Sequence, residues 1–135
     1  MEVSKLSLDT SAYSQFKRGD KAVVAVVDSA EWIGMSTIAL GELRTGFKLG
    51  KHTARNDREL DEFLANPVVH VLDVDEDASR IYAEIIVALR SAGTPLPTND
   101  IWIAAVSARE GAAVVTYDAH FRRIGRVGAL ILDTP

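Results

Sequence analysis

The apolar residues of this chain fall in short runs that alternate with longer segments of mixed polarity. Compact apolar runs bounded by turn residues predict buried strands, whereas apolar side chains that recur every three or four residues predict amphipathic helices. The predicted strands cover residues 6–10, 32–36, 68–72, 112–116 and 129–132. The predicted helices cover residues 22–29, 37–50, 75–91 and 101–110.

The segment 75–91 has the clearest helical periodicity. Its apolar positions, three and four residues apart, are Ala78, Ile81, Tyr82, Ile85, Ile86 and Leu89. A stripe of this kind marks the buried side of a helix, and glycine beyond the last turn is typical of a helix end. We expect the stripe to face a sheet and the helix to end before Gly93.

Turn-forming residues place the breaks between these elements. Breaks are predicted at Asp28, at Asn66 with the proline after it, and over residues 93–97. Asn99 and the acid that follows it predict the capped start of the helix at 101–110, which is expected to stop at Gly111.

Strands that alternate with helices predict the fold class. The alternation favours an α/β protein, a three-layer α/β/α arrangement with a central, mainly parallel sheet covered by helices on both faces. At 135 residues, 47% of them hydrophobic, the chain is expected to form a single domain over residues 1–135. No repeat or linker interrupts the pattern.

Composition narrows the chemistry and the location. No apolar run approaches the roughly 20 residues of a membrane span, and no signal-like segment opens the chain, so a cytoplasmic protein is expected. The chain has no cysteine, so any metal must be bound by oxygen or imidazole. The net charge of −4 argues against a uniformly basic surface for nucleic acid, although a local basic patch stays possible.

Acidic residues recur where a parallel α/β sheet places its binding crevice, beyond the carboxyl ends of the strands. Asp9 ends the first predicted strand, Asp118 follows the strand at 112–116, and Asp100 opens a helix. Glu42 lies within the helix at 37–50, on a face that its leucine neighbours turn partly inward. Each acid alone has a structural interpretation as a turn residue or a helix cap, and the recurrence weakens that interpretation.

Four clustered carboxylates would repel one another, and a divalent cation is the usual relief of that repulsion. Oxygen ligands without cysteine favour Mg²⁺ or Mn²⁺ over zinc, and such ions commonly keep waters and bind substrate phosphates. The acids therefore indicate metal-assisted hydrolysis of a phosphodiester.

Four sequence blocks then carry a family resemblance. They are Leu8-Asp-Thr-Ser-Ala12, Ser36-Thr-Ile-Ala-Leu-Gly-Glu-Leu-Arg-Thr-Gly46, Thr98-Asn-Asp-Ile-Trp-Ile-Ala-Ala105 and Thr116-Tyr-Asp-Ala-His-Phe121. In this order and spacing they resemble the PIN-domain ribonucleases, in particular the toxins of bacterial VapBC toxin–antitoxin pairs. The resemblance spans nearly the whole chain.

The resemblance implies a PIN-like fold and a metal-dependent endoribonuclease. By it, the catalytic acids are Asp9, Glu42, Asp100 and Asp118, and the metal ligands for Mg²⁺ or Mn²⁺ are Asp9, Asp100 and Asp118. It also implies that the hydroxyls of Thr10, Ser11 and Thr116 orient the acids or contact phosphate. The implied partners are an RNA substrate, a cognate small antitoxin that inhibits the toxin, and a second copy in a homodimer.

Two other function classes stay open at this point. A Mg²⁺-dependent phosphatase or receiver domain also places aspartates at strand ends, but the acidic run 73–77 precedes a helix and is typical of an acidic first turn. A non-catalytic module of the same fold could bind RNA or a protein instead.

Several further residues have an RNA-binding and a structural interpretation. His120, Trp32 and Trp102 are assigned to surface or packing roles rather than to base contacts. The basic residues could line an RNA path or form solvated faces. They are Arg44, Lys48, Lys51, His52, Arg55 and Arg58 after Glu42, and Arg122, Arg123 and Arg126 after Asp118.

Overall fold

A computed structural model describes residues 5–135 and contains one five-stranded sheet in that range. The strands are β1 (Leu6–Leu8), β2 (Ile33–Ser36), β3 (Val69–Leu72), β4 (Ala113–Thr116) and β5 (Ala129–Ile131). They lie in the order β3-β2-β1-β4-β5, and every neighbouring pair is parallel. All five strands were predicted, so the α/β class with a parallel sheet is confirmed.

Six α-helices and a short 3₁₀ helix connect the described strands. The helices are α1 (Thr10–Lys17), α2 (Lys21–Ser29), α3 (Thr37–Leu49), α4 (Thr53–Leu64), α5 (Glu76–Ser91) and α6 (Thr98–Arg109). The 3₁₀ helix covers Ala119–Arg123, between β4 and β5. Gly93 and Gly111, with φ of +70° and +67°, follow the ends of α5 and α6, in a region that side chains disfavour.

Helices cover both faces of the sheet, as the three-layer prediction requires. On one face, Leu8, Met35 and Val115 are buried in a cluster that α1 to α4 complete. On the other face, Val114 joins a cluster formed with α5 and α6. Burial of apolar area on both faces stabilises the layers, at roughly 25 cal/mol per Å².

The apolar stripe of α5 packs chiefly on α6 and reaches the sheet at Ala78, which shares a cluster with Leu72 of β3, so the prediction that the stripe faces the sheet holds in part. α6 contacts β2 and β4, whereas α5 packs chiefly against α6. Ile85 and Leu89 accordingly share a cluster with Ile101 and Ala105 of α6. A nearly continuous apolar helix, α6, can be covered on two sides, and it therefore takes the position next to the strands.

Two helices and several boundaries differ from the prediction, and the first strand, predicted over residues 6–10, ends at Leu8 because Thr10 begins α1. α1 and α4 were not predicted, because α1 is short and the buried Leu60 of α4 stands among many charged residues. Asp28 lies inside α2 rather than at a break. Asn99 is not the cap of α6, because the helix begins at Thr98 after Pro97, and the Asn99 side chain is free for a tertiary contact.

The topology places a crevice at the carboxyl ends of β1 and β4. The chain leaves β1 toward β2 on one side and returns to β4 on the other, so the connections on the two sides diverge there. In open parallel sheets ligands bind at such a switch point. Asp9 follows β1 directly and Asp118 follows β4.

The start of α5 is fixed by an arginine from α6. Arg109, whose side chain is 15% exposed, donates to the Asp73 carbonyl at 2.6 Å and to Asp75 Oδ1 at 2.9 Å. Asp75 also caps α5 by accepting from the backbone N–H of Ala78. The acidic run 73–77 therefore serves as a helix start and a docking point for α6.

Replacement of this arginine is expected to destabilise the protein. Arg109→Met keeps most of the side-chain volume but removes the donor to the Asp73 carbonyl and the ion pairs with Asp75 and Glu110, so the Tm should fall by about 3 to 6 °C. Arg80→Met is the matched control, because Arg80 forms an exposed i,i+4 pair with Glu76 and its side chain is 73% exposed. Thermal unfolding of both variants tests this, and equal shifts would contradict the assignment.

Candidate active site

Asp9 is held rigidly at the end of β1. It is 5% exposed and is the N-cap of α1. Its Oδ1 accepts from the backbone N–H of Ala12 at 2.9 Å and from Ser11 Oγ at 2.7 Å, and its Oδ2 accepts from Thr116 Oγ1. Both carboxylate oxygens therefore have donors from the chain itself.

Two hydroxyl groups tie the end of β1 to the end of β4. Ser11 Oγ accepts from the backbone N–H of Tyr117 at 3.1 Å, and Thr116 Oγ1 accepts from the backbone N–H of Asp118 at 2.9 Å. Thr116 is fully buried. These bonds fix Asp9 and the backbone of Asp118 relative to each other.

Glu42 is held by residues from two other elements. Ser36 caps α3 by accepting from the backbone N–H of Ala39, and Glu42 lies in the second turn that follows. Its Oε1 accepts from Thr10 Oγ1 at 2.7 Å and its Oε2 accepts from Asn99 Nδ2 at 3.4 Å. Thr10 thus donates to one of the four acids, and its supporting role in the reaction stays a prediction.

The electrostatic surroundings of Asp100 indicate that the four acids share one site. Burial raises its pKa to about 6, and the charges of Asp118, Glu42 and Asp9 add to the rise. Burial also raises the pKa of Asp9, with a contribution from Asp118, although the hydrogen bonds to Asp9 act in the opposite direction. The sequence-predicted acids are therefore brought together at the switch point.

Two polar side chains at this site were not among the predicted site residues. Asn99 donates to Glu42, and its signal in the sequence was only its place beside Asp100. His120 lies with its Nδ1 3.3 Å from Asp118 Oδ1, while its backbone N–H donates to the same oxygen. His120 also partly offsets the rise in the pKa of Asp100. The side chain is exposed, as its surface assignment implied.

The fit of a divalent cation can be judged from the donor set. Within residues 5–135 no group of three or more Asp, Glu or His side chains is arranged to hold an ion directly. Mg²⁺ commonly binds through one or two carboxylates and completes its shell with waters and substrate phosphates. Mutually repelling carboxylates with no thiolate nearby fit such an ion, and the direct contacts of Asp9, Asp100 and Asp118 stay a prediction.

The predicted basic path is only partly available. Arg44 is engaged by Asp57 at 2.9 Å and by Asp61 at 2.8 Å, and Arg126 pairs with Glu84 at 3.4 Å. The other basic residues of the two predicted runs are exposed: Lys48, Lys51, His52, Arg55 and Arg58 after Glu42, and Arg122 and Arg123 after Asp118. Arg44 is therefore better assigned to the contact of α3 with α4 than to RNA.

The tryptophans pack against neighbouring aromatic rings. Trp102 stacks on Tyr82 with ring centroids 3.8 Å apart, and Trp32 stacks on His70 at 4.9 Å. Both tryptophans are partly buried. Packing therefore accounts for them, in agreement with the prediction.

Among the described helices none has the length and apolar content needed to cross a membrane.

Comparison with known proteins gives consistent matches over most of the chain. The PIN domain family matches residues 6–127. Ribonuclease VapC5 of Mycobacterium tuberculosis is 30% identical over 114 residues, which cover 84% of this chain and 83% of that protein. Ribonuclease VapC4 of the same organism is 35% identical over 91 residues, 67% of this chain and 69% of that protein.

Solved structures show the same fold. VapBC2 from Rickettsia felis, bound to a DNA fragment from its promoter, contains a chain with a TM-score of 0.84 and 24% identity, covering 96% of this chain and 99% of that chain. DNA-bound VapBC from Salmonella typhimurium contains one with a TM-score of 0.80 and 27% identity, covering 93% and 96%.

Proposed function

This chain belongs to the PIN domain family, and on that premise we propose that it is a metal-dependent endoribonuclease that acts as the toxin of a toxin–antitoxin pair. The observation that carries the proposal is the meeting of Asp9, Glu42, Asp100 and Asp118 at the sheet's switch point, where burial, and after it the charges of the other three acids, raise the pKa of Asp100 to about 6. Such a site favours a cation and, with it, a phosphate.

The proposed cofactor is Mg²⁺ or Mn²⁺, bound by Asp9, Asp100 and Asp118 either directly or through water molecules in its shell. When bound there, the cation would polarise the phosphodiester and lower the pKa of a bound water toward neutrality. PIN ribonucleases are generally dependent on divalent metals, and the oxygen-only donor set of this site agrees with that dependence.

The chain's own contribution is to position the acids before substrate arrives. Ser11 and Thr116 donate to Asp9, and Thr10 donates to Glu42, so these carboxylates need little rearrangement during the reaction. Preorganised polar groups of this kind commonly account for a large part of catalytic rate enhancement. Glu42, assigned to catalysis rather than to metal binding, would orient a water or accept its proton.

The proposed regulator is a small antitoxin that covers the acidic crevice. The structural neighbours from Rickettsia felis and Salmonella typhimurium are VapBC assemblies, and the second is 27% identical to this chain over 93% of its length. A homodimer of the toxin, as the resemblance implies, stays a prediction.

RNA cleavage by the purified chain, free of antitoxin, tests the proposed function. We expect cleavage of a mixed RNA pool in Mg²⁺ or Mn²⁺, loss of cleavage in EDTA, and return when metal is restored. Asp9→Asn should lower the rate by about 100-fold or more, because it removes a charge at the centre of the site.

The matched control is Asp77→Asn, an exposed acid in the first turn of α5. This variant should cleave at the wild-type rate. Cleavage that persists in EDTA, or that Asp9→Asn leaves unchanged, would refute the proposed chemistry.

A further inference from the structure

A cavity of about 550 Å³ opens beside the acidic site, between α3 and the first turn of α6. Its lining residues are Thr37, Ile38, Gly41, Glu42, Thr45 and Asn99. Glu42 belongs both to this cavity and to the acidic site, and Asn99 donates to it at 3.4 Å. Through Glu42 the cavity adjoins the acidic site, where the proposed function places the scissile phosphate.

The lining does not suit a phosphate. No lysine, arginine or histidine is among the lining residues, and the one charged side chain is the carboxylate of Glu42. The other polar groups are the amide of Asn99, the hydroxyl of Thr37 and the hydroxyl of Thr45, which donates to the Gly41 carbonyl at 2.8 Å and so can only accept from a ligand. Asn99 uses one N–H toward Glu42, which leaves its carbonyl oxygen and second N–H for a ligand.

Gly41 lines the cavity without contributing a side chain to it. This residue is exposed on α3, and a Cβ built on it would meet nothing within 4 Å. Ile38, partly buried one turn before it, supplies an apolar wall. The cavity thus combines an open floor, an apolar wall and uncharged hydrogen-bonding groups, and its volume lies in the usual range of small-ligand pockets.

We propose that this cavity binds the base of a nucleotide next to the scissile phosphate and so contributes to the choice of cleavage site. The inference rests on the proposed ribonuclease function. Single-stranded RNA is recognised chiefly by bases that are splayed out, packed on side chains and hydrogen-bonded along their edges. Ile38 supplies the packing surface here, while Asn99 and Thr45 supply the edge contacts.

Filling the cavity from Gly41 tests this inference. Gly41→Leu places a side chain in the cavity, and Gly46→Leu is the matched control, because Gly46 is also exposed on α3 with open space around it but does not line the cavity. Leucine favours a helix over glycine, so both variants should unfold at a temperature equal to or above that of the wild type.

Each variant is incubated with a randomised single-stranded RNA pool in Mn²⁺, and the cut ends are sequenced. Gly41→Leu should lower kcat/KM by about tenfold or more and change the base frequency at one position beside the cut. Asn99→Ala should change the frequency at that same position. Gly46→Leu should match the wild type in rate and base frequency.

Three outcomes would overturn the inference. Wild-type rate and base frequency in Gly41→Leu would show that no base occupies the cavity. A change of mass in solution in Gly41→Leu alone, measured by light scattering, would assign this face to contact between protein copies. A wild type that cleaves no RNA in either metal would refute the proposed ribonuclease function, and this inference with it.

Discussion

Asp100→Asn is expected to abolish RNA cleavage while it makes the metal-free protein more stable. Burial, followed by the charges of Asp118, Glu42 and Asp9, raises the pKa of Asp100 to about 6. At neutral pH its negative charge therefore opposes folding, and a neutral amide removes that cost. We expect at least a 100-fold loss of cleavage and a Tm in EDTA about 2 to 4 °C above wild type, allowing for solvent screening.

The pH dependence of this stability difference follows from the direction of the shift. The folded pKa of Asp100 lies above its unfolded value of about 3.8, so the folded state holds the proton more tightly between those values. The penalty is absent below about pH 4, grows between about pH 4 and 6, and is fully present above about pH 6. In EDTA, the Tm advantage of Asp100→Asn should therefore shrink as the pH falls to 4.

Asp77→Asn again supplies the control for charge removal in general. Asp77 is exposed at the start of α5, so its loss should change neither cleavage nor the pH profile of Tm. If Asp100→Asn unfolds at a lower temperature than the wild type in EDTA at neutral pH, the electrostatic account of the cluster is wrong.

Thr116→Val is expected to impair both stability and catalysis, although the side chains of threonine and valine are close in shape. Thr116 is fully buried, donates to Asp9 Oδ2 and accepts from the backbone N–H of Asp118. Valine leaves both partners without that hydrogen bond, which should cost about 1 to 3 kcal/mol of unfolding free energy. Loss of such a supporting contact should lower activity by about 10- to 100-fold.

A positioning role for Thr116 makes a prediction beyond loss of stability. The Mn²⁺ concentration that gives half-maximal cleavage should rise in Thr116→Val, at a temperature where the variant is folded. Thr116→Ser keeps the hydroxyl and should restore most of both properties. Wild-type metal dependence in a folded Thr116→Val would show that the hydroxyl serves the fold alone.

The strands and the acids were accessible from the sequence because both depend on local pattern. A strand buried on both faces is a compact apolar run, and the carboxyl end of a parallel strand is where a binding site belongs. Glu42 does not follow a strand, and it was selected because its leucine neighbours turn that helix face partly inward; its catalytic role then followed from the family resemblance. α4 escaped prediction because its burial depends on Leu60 and a few flanking residues in a highly charged segment.

The hydrogen bonds that hold the acids in place could not be predicted from the local sequence pattern. Thr116 bonds to Asp9 across 107 positions in the chain, and Asn99 reaches Glu42 across 57. Contacts of this kind depend on how β1, β4, α3 and α6 meet, and a hydroxyl or an amide has equally good local roles in turns and caps. The sequence identified polar residues that could contact the acids, and only the arrangement of the strands and helices shows which of them do.

The central claim is that the acidic cluster holds the cation with which RNA is cleaved. The most direct measurement records Mn²⁺ bound per chain, by electron paramagnetic resonance, and RNA cleavage rate on the same samples of wild type, Asp9→Asn and Asp77→Asn. Wild type and Asp77→Asn should bind Mn²⁺ and cleave RNA alike, while Asp9→Asn should lose both together. If the wild type cleaves RNA and Asp9→Asn binds as much Mn²⁺ as the wild type, the account is wrong.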